Sequence, residues 1–173
     1  IDLRTKFVPA IVKACEKQLS VKRGGERTKS SALALLSTLC AAPGGIGGRA
    51  QIESVFVHVK TILSGGAASG AGSGGGTLSR TASAGTKSLK LDALCLVRVA
   101  LSCGNHDPRD LKESLLSVLL PDLCRSANED WYKVIAEALR VLSEVPRLLV
   151  KARESDGGDG EEEEGEDKEE MDR

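Results

Sequence analysis

The chain has 173 residues, enough for one ordinary domain or a short repeat array, and only 2% of them are aromatic against 19 glycines. That balance excludes a core built on large rings, so Leu, Val, Ile and Ala must do the packing. Twelve of the 25 acidic and two of the 24 basic residues lie in Glu154–Arg173, so a tail of net −10 follows a body of net +9.

No initiator Met opens the chain, and "IDLRTKF" begins as if inside an element, so the sequence reads as a fragment of a longer protein. No apolar run approaches the ~20 residues of a membrane span, and no charged-then-apolar signal peptide begins it. The five cysteines (Cys15, Cys40, Cys95, Cys103, Cys124) are odd in number, widely spaced and without a CxxC pair. They read as small hydrophobes in a reducing cytoplasmic or nuclear setting, not as a disulfide frame or a zinc site.

Taken in order, the first apolar stripe is Phe7, Val8, Ile11, Val12, Cys15 and Leu19, at helical spacing. After the polar turn "SVKRGGERTK" comes Ala32, Leu35, Leu36, Leu39 and Cys40, stopped by "AAPGGIGG". The third stripe, Ile52, Val55, Phe56, Val59 and Leu63, leaves His58 on the polar side. Residues 64–86, "SGGAASGAGSGGGTLSRTASAGT", are too poor in large apolar side chains to order themselves and predict a flexible insertion. Helical pattern resumes at Ser88 with Leu89, Ala93, Leu94, Leu96, Val97, Ala100 and Leu101. The turn "CGNHDPRD" leads to Leu111, Leu115, Leu116, Leu119, Leu120 and Leu123. "ANEDWY" then opens the sixth stripe: Trp131, Val134, Ile135, Ala138, Leu139, Leu142 and Val145. Residues 154–173 read as a disordered acidic tail.

Three Ala-Leu pairs punctuate these stripes: Ala34-Leu35, Ala93-Leu94 and Ala138-Leu139, 59 and 45 positions apart. Discounting about 15 inserted residues brings the first interval close to the second, and a period of ~40–47 belongs to HEAT or armadillo arrays. The expected fold is therefore all-α: a HEAT-repeat α-solenoid of about three helical hairpins. They span 1–48, 49–106 (with the Gly/Ser insertion 64–86) and 107–153, followed by the tail 154–173. In the third unit Pro121 lies inside the first helix, where it normally costs about 3 kcal/mol. HEAT repeats use such a residue to kink the outer helix, and Pro9 holds the matching place in the first unit.

Three strings are more specific than the fold. "VPAIVKACEKQL" (Val8–Leu19), "SLKLDALCLVRVAL" (Ser88–Leu101) and "WYKVIAEALRVL" (Trp131–Leu142) together resemble a mid-chain section of the cullin-associated and neddylation-dissociated protein family. The resemblance covers Phe7–Val150 without the insertion and tail, which depart from the family pattern and read as expanded loops. It implies a non-catalytic scaffold that binds an unmodified cullin with its RING subunit, blocks attachment of the ubiquitin-like modifier and promotes exchange of substrate-receptor modules. The alternative is a HEAT scaffold of another class, such as a nuclear transport receptor or a phosphatase scaffold.

Second helices line the concave face of such arrays, so Arg98, Lys133, Glu137 and Arg140 are candidate contacts to a partner inside the arch. Tyr132 is a candidate exposed anchor, while Trp131 belongs to the core stripe. The plain alternative is a solvated face with Lys133–Glu137, Glu137–Arg140 and Arg140–Glu144 as internal pairs worth ~0.2–0.5 kcal/mol each. "SRTAS" (Ser79–Ser83) places Arg80 three residues before Ser83, a candidate phosphosite. "GAGSGG" (Gly70–Gly75) matches GxGxxG but lacks the flanking strand and helix of a dinucleotide site, so no cofactor is expected. His58 and His106 read as surface residues without a converging nucleophile or second carboxylate, so neither enzyme activity nor a small-molecule substrate is expected. Lys and Arg are dispersed among carboxylates with no aromatic platform, which disfavours nucleic acid.

Overall fold

The computed structural model describes residues 3–21, 25–65 and 84–156 of the chain. The fold is all-α, as the helical spacing predicts, with no strand among the described residues. The helices are α1 (Leu3–Ser20), α2 (Glu26–Ala41), α3 (Arg49–Leu63), α4 (Ala84–Ser102), α5 (Pro108–Ser114), α6 (Leu120–Ser126) and α7 (Tyr132–Asp156). A π-helical turn, Leu115–Leu119, joins α5 to α6. Residues 66–83, which hold the GxGxxG match and Ser83, and the tail from residue 157 lie outside the described residues.

Two predicted boundaries move. The insertion was expected to run to residue 86, but α4 begins at Ala84. Its first turn is tied to α2, because Thr86 Oγ1 donates to Glu26 Oε1 at 3.1 Å. The tail was expected from residue 154, but α7 continues to Asp156. Ala152 is buried, and Arg109 on α5 lies 4.0 Å from Asp156, so packing and charge extend the helix past its apolar stripe.

Helices pair in chain order: α1 with α2, α3 with α4, and α5 and α6 with α7. Across pairs, α1 packs on α3 and α3 on the π-helical turn, while α2 packs on α4 and α4 on α7. One layer is therefore α1, α3 and α5–α6; the other is α2, α4 and α7. Between them runs one apolar core that includes Leu33, Phe56, Leu94, Leu115 and Leu123. Burying each such side chain contributes about 1.5–3 kcal/mol.

Local chemistry sets the joints. After α2, Gly44, Gly45 and Gly47 take φ of 80°, 58° and 122°, a left-handed path that only glycine follows without strain. Asp107 caps α5 by accepting from the Arg109 backbone N–H at 2.8 Å, and Pro108 follows at the first helical position, where its missing N–H costs nothing. Pro121 does interrupt its helix. Its ring would press on the carbonyl of Ser117, and that carbonyl lies in the π-helical turn, whose wider ladder makes room. Pro9 lies inside α1 and Pro146 inside α7.

The Ala-Leu pairs are not equivalent in the packing. Ala93 and Leu94 are both fully buried between the layers. Leu139 points outward, 54% exposed, beside a buried Ala138. On α2 the pair faces solvent, with Leu35 44% exposed, and the core is instead filled by Ala32, Leu33, Leu36 and Cys40. A run of alternating Ala and Leu allows several stripes, and contact with α1 and α4 selected the one displaced from that expected. Phe7 and Leu116, also placed on core stripes by spacing, are exposed as well.

Candidate functional site: the polar ridge of α4 and α7

Of the residues predicted as contacts on the second helices, Arg98 and Arg140 converge on Glu137. It projects from α7 toward α4 and is buried. Its Oε1 accepts from Arg98 Nε at 2.6 Å and from Cys95 Sγ at 3.5 Å, both on α4. Its Oε2 accepts from Arg140 Nη1 at 2.9 Å, one helical turn on. Burial pushes the Glu137 carboxyl up, but hydrogen bonds from Arg98 and Arg140 outweigh it and hold the group below its ordinary value. The bond to Glu137 raises the Arg98 guanidinium in turn, against the effect of desolvation. Burial, and then the Glu137 charge, keep the Cys95 thiol protonated.

This ridge is thus a seam between helices along part of its length. Asp92, on the same face of α4, accepts from Ser30 Oγ of α2 at 2.6 Å. Of the pairs expected within α7, Glu137–Arg140 is present, whereas Glu144 takes Arg147 at 3.4 Å. Lys133 Nζ lies 6.0 Å from the centroids of the Trp131 and Tyr132 rings, with Lys87 of α4 also 6.0 Å from Trp131. Trp131 is half-buried against the core, as its stripe predicts. Tyr132 is 69% exposed and Arg140 projects outward, so both are accessible; Glu137 is enclosed.

A second polar cluster closes the opposite ends of α2 and α4. Cys103 Sγ donates to the Cys40 carbonyl at 3.1 Å, and Asn105 Nδ2 donates to the carbonyls of Cys40 at 3.2 Å and Ala41 at 2.9 Å. These bonds satisfy carbonyls that the end of α2 leaves open. His106, expected at the surface, is buried against Gly45; a Cβ on that glycine would lie 2.1 Å from the imidazole Cε1. Neither ring nitrogen has a hydrogen-bond partner. Burial lowers the His106 pKa from its ordinary 6.5, and the nearby Gly47 backbone opposes this without reaching hydrogen-bond geometry. Burial, and then Cys103, push the Cys40 thiol up to about 12. Burial thus disfavours the charged form of both the His106 ring and the Cys40 thiol, as for packed side chains rather than an activated nucleophile.

A buried ion pair, Lys90 Nζ to Glu129 Oε1 at 2.5 Å, escaped the sequence reading. Its signal was present: Lys90 stands three, four and seven residues from Ala93, Leu94 and Val97, on the core stripe of α4. Among the described residues, no group of three or more His, Cys, Asp and Glu is arranged to hold a metal ion. No described helix is long and apolar enough to cross a membrane. No protein-family model and no curated protein matches the chain.

Proposed function

We propose that the chain is a segment of a HEAT-type α-solenoid scaffold, cytoplasmic and nuclear, that acts on cullin–RING ubiquitin ligases without catalysing a reaction itself. The observation that carries this reading is the set of three strings, Val8–Leu19, Ser88–Leu101 and Trp131–Leu142, in family order. The two-layer stacking of successive hairpins supports the architectural half, because each pair buries its apolar faces only against its neighbours. On this reading the protein holds an unmodified cullin with its RING subunit, obstructs attachment of the ubiquitin-like modifier and promotes exchange of substrate-receptor modules. Arg98, Arg140, Lys133 and Tyr132 are the accessible candidates for contact, and Glu137 serves by holding both arginines in place.

The test is binding of the protein to a purified cullin–RING core, bare and carrying the ubiquitin-like modifier. Tight binding to the bare core that is lost on modification is the expected result. Equal binding to both forms, or none to either, overturns the cullin assignment and leaves a HEAT scaffold of another class, such as a transport receptor or phosphatase scaffold.

A further inference from the structure

Two thiols meet where α2 and α4 end. Cys40 lies in the last turn of α2, in the first hairpin, and Cys103 directly follows α4, in the second. They stand 63 positions apart in sequence, and both are free. Cys103 Sγ lies 3.1 Å from the Cys40 carbonyl oxygen, so the sulfur of one cysteine already touches the backbone of the other. A disulfide, which spans Cα atoms roughly 4–7 Å apart, needs that approach. The other cysteines have different surroundings. The side chains that act on Cys15 and Cys95 are charged, Glu16 for the first and Glu137 with Arg98 for the second. Cys124 is exposed on α6. Two features let the joint change. The Cys40 carbonyl also accepts from Asn105 Nδ2 at 3.2 Å, so it keeps a donor when the Cys103 thiol loses its hydrogen. Gly104 follows with φ of 68° and open space where a Cβ would stand, so the loop can shift beside Cys103 without a clash.

We propose that Cys40 and Cys103 are a thiol pair that a small disulfide oxidant of the glutathione class converts to a reversible bond joining the first hairpin to the second. Exposure sets the order of the steps. Cys103 is half-buried and can be reached, while Cys40 is 0% exposed. The Cys103 thiolate attacks one sulfur of glutathione disulfide; a bond forms between Cys103 and that glutathione, and the other leaves as a thiolate that takes up the proton Cys103 released. Cys40 then gives up its proton and its sulfur attacks the Cys103 sulfur, so the second glutathione leaves with that proton. Two protein thiols are oxidised, and one glutathione disulfide is reduced to two thiols. Proximity drives the exchange, not an activated thiol. Burial keeps Cys40 protonated, which makes the second step the slow one. Where hairpins touch only their neighbours, a bond between α2 and α4 fixes one joint and leaves the others free. Further hairpins stacked beyond α1 or α7 would leave this joint unchanged, and the inference does not depend on the cullin assignment.

In the test, the protein is equilibrated with glutathione and glutathione disulfide, quenched with acid and mapped by mass spectrometry without reduction. Peptides linked through Cys40 and Cys103 are expected at least about tenfold over the Cys103–glutathione adduct, because the second thiol is held beside the first. Cys124 should carry glutathione only, and dithiothreitol should restore every thiol. Cys40→Ala is expected to stop at the adduct on Cys103. Cys103→Ser, which keeps a hydrogen-bond donor to the Cys40 carbonyl, should leave Cys40 unmodified. The oxidised wild type should unfold at a higher urea concentration than the reduced form, since the bond closes a loop across 63 positions; Cys103→Ser should show no such rise. The proposal is overturned if no Cys40–Cys103 link forms, if either residue pairs with another cysteine instead, or if the same link prevails in denaturing urea, where the fold no longer chooses the pair. It also fails if the Cys103 adduct accumulates in the wild type, or if oxidation does not raise the urea midpoint.

Discussion

The Lys90–Glu129 pair gives the sharpest test of how this core is held. The Lys90 side chain is 1% exposed on α4, and its partner in the turn before α7 is 11% exposed, so both charges have left water for one another. Glu129→Ala strands an ammonium inside the core, a loss expected to cost about 3–5 kcal/mol. At roughly 4 °C per kcal/mol for a domain of this size, Tm falls by more than about 10 °C. Lys90→Met keeps the volume and leaves a carboxylate near the surface that can turn toward water, so about 1–3 kcal/mol is expected. The double variant Lys90→Met/Glu129→Gln removes both charges and is expected within about 1 kcal/mol of the wild type, because an apolar chain suits the site as well as the pair does. Urea titration followed by far-UV circular dichroism measures each loss, and the single tryptophan, Trp131, gives a second probe of whether unfolding is two-state. The reasoning is refuted if Glu129→Ala stays within about 1 kcal/mol of the wild type, or if the double variant is as unstable as Glu129→Ala.

Two further outcomes test the packing. His106 is held neutral, its folded pKa lying below the ordinary 6.5, so its contribution is fully present above that pH and is lost as pH falls through the folded value. Urea midpoints measured from about pH 7.5 to 5 should decline more steeply for the wild type than for His106→Leu; parallel curves would remove the histidine from the account. The Ala-Leu pairs should differ as their burial does: Leu94→Ala is expected to cost about 2–5 kcal/mol, while Leu35→Ala and Leu139→Ala cost less than about 1 kcal/mol each. Similar losses at all three sites in thermal unfolding would restore their equivalence.

Helical spacing by itself determined that the described residues are all-α, and it located their helices to within a few residues. The third and fourth stripes were largely legible, because Ile52, Val55, Phe56, Val59 and Leu63, and the apolar positions Leu89, Ala93, Leu94, Leu96, Val97, Ala100 and Leu101, are all buried, with Ile62 and Lys90 the buried positions they left out. Composition likewise marked the joints, since Gly44–Gly48 and Asp107–Pro108 can scarcely continue a helix. Where the sequence offers more than one face, only neighbouring helices choose. The Ala- and Leu-rich α2 holds Leu33 inward and Leu35 outward because α1 and α4 lie on one side of it. The polar positions are legible only as an outward ridge, facing a partner or solvent, because a sequence does not say which helix stands opposite. Cys95 and Arg98 of α4 lie 42 and 39 positions from Glu137, and Lys90 lies 39 from Glu129. His106 looked like a turn residue at the surface, and it is buried because the glycine turn after α2 closes over its ring. Local spacing decides where helices form, but charge partners and burial depend on contacts distant in sequence, and these exist only once the layers have stacked.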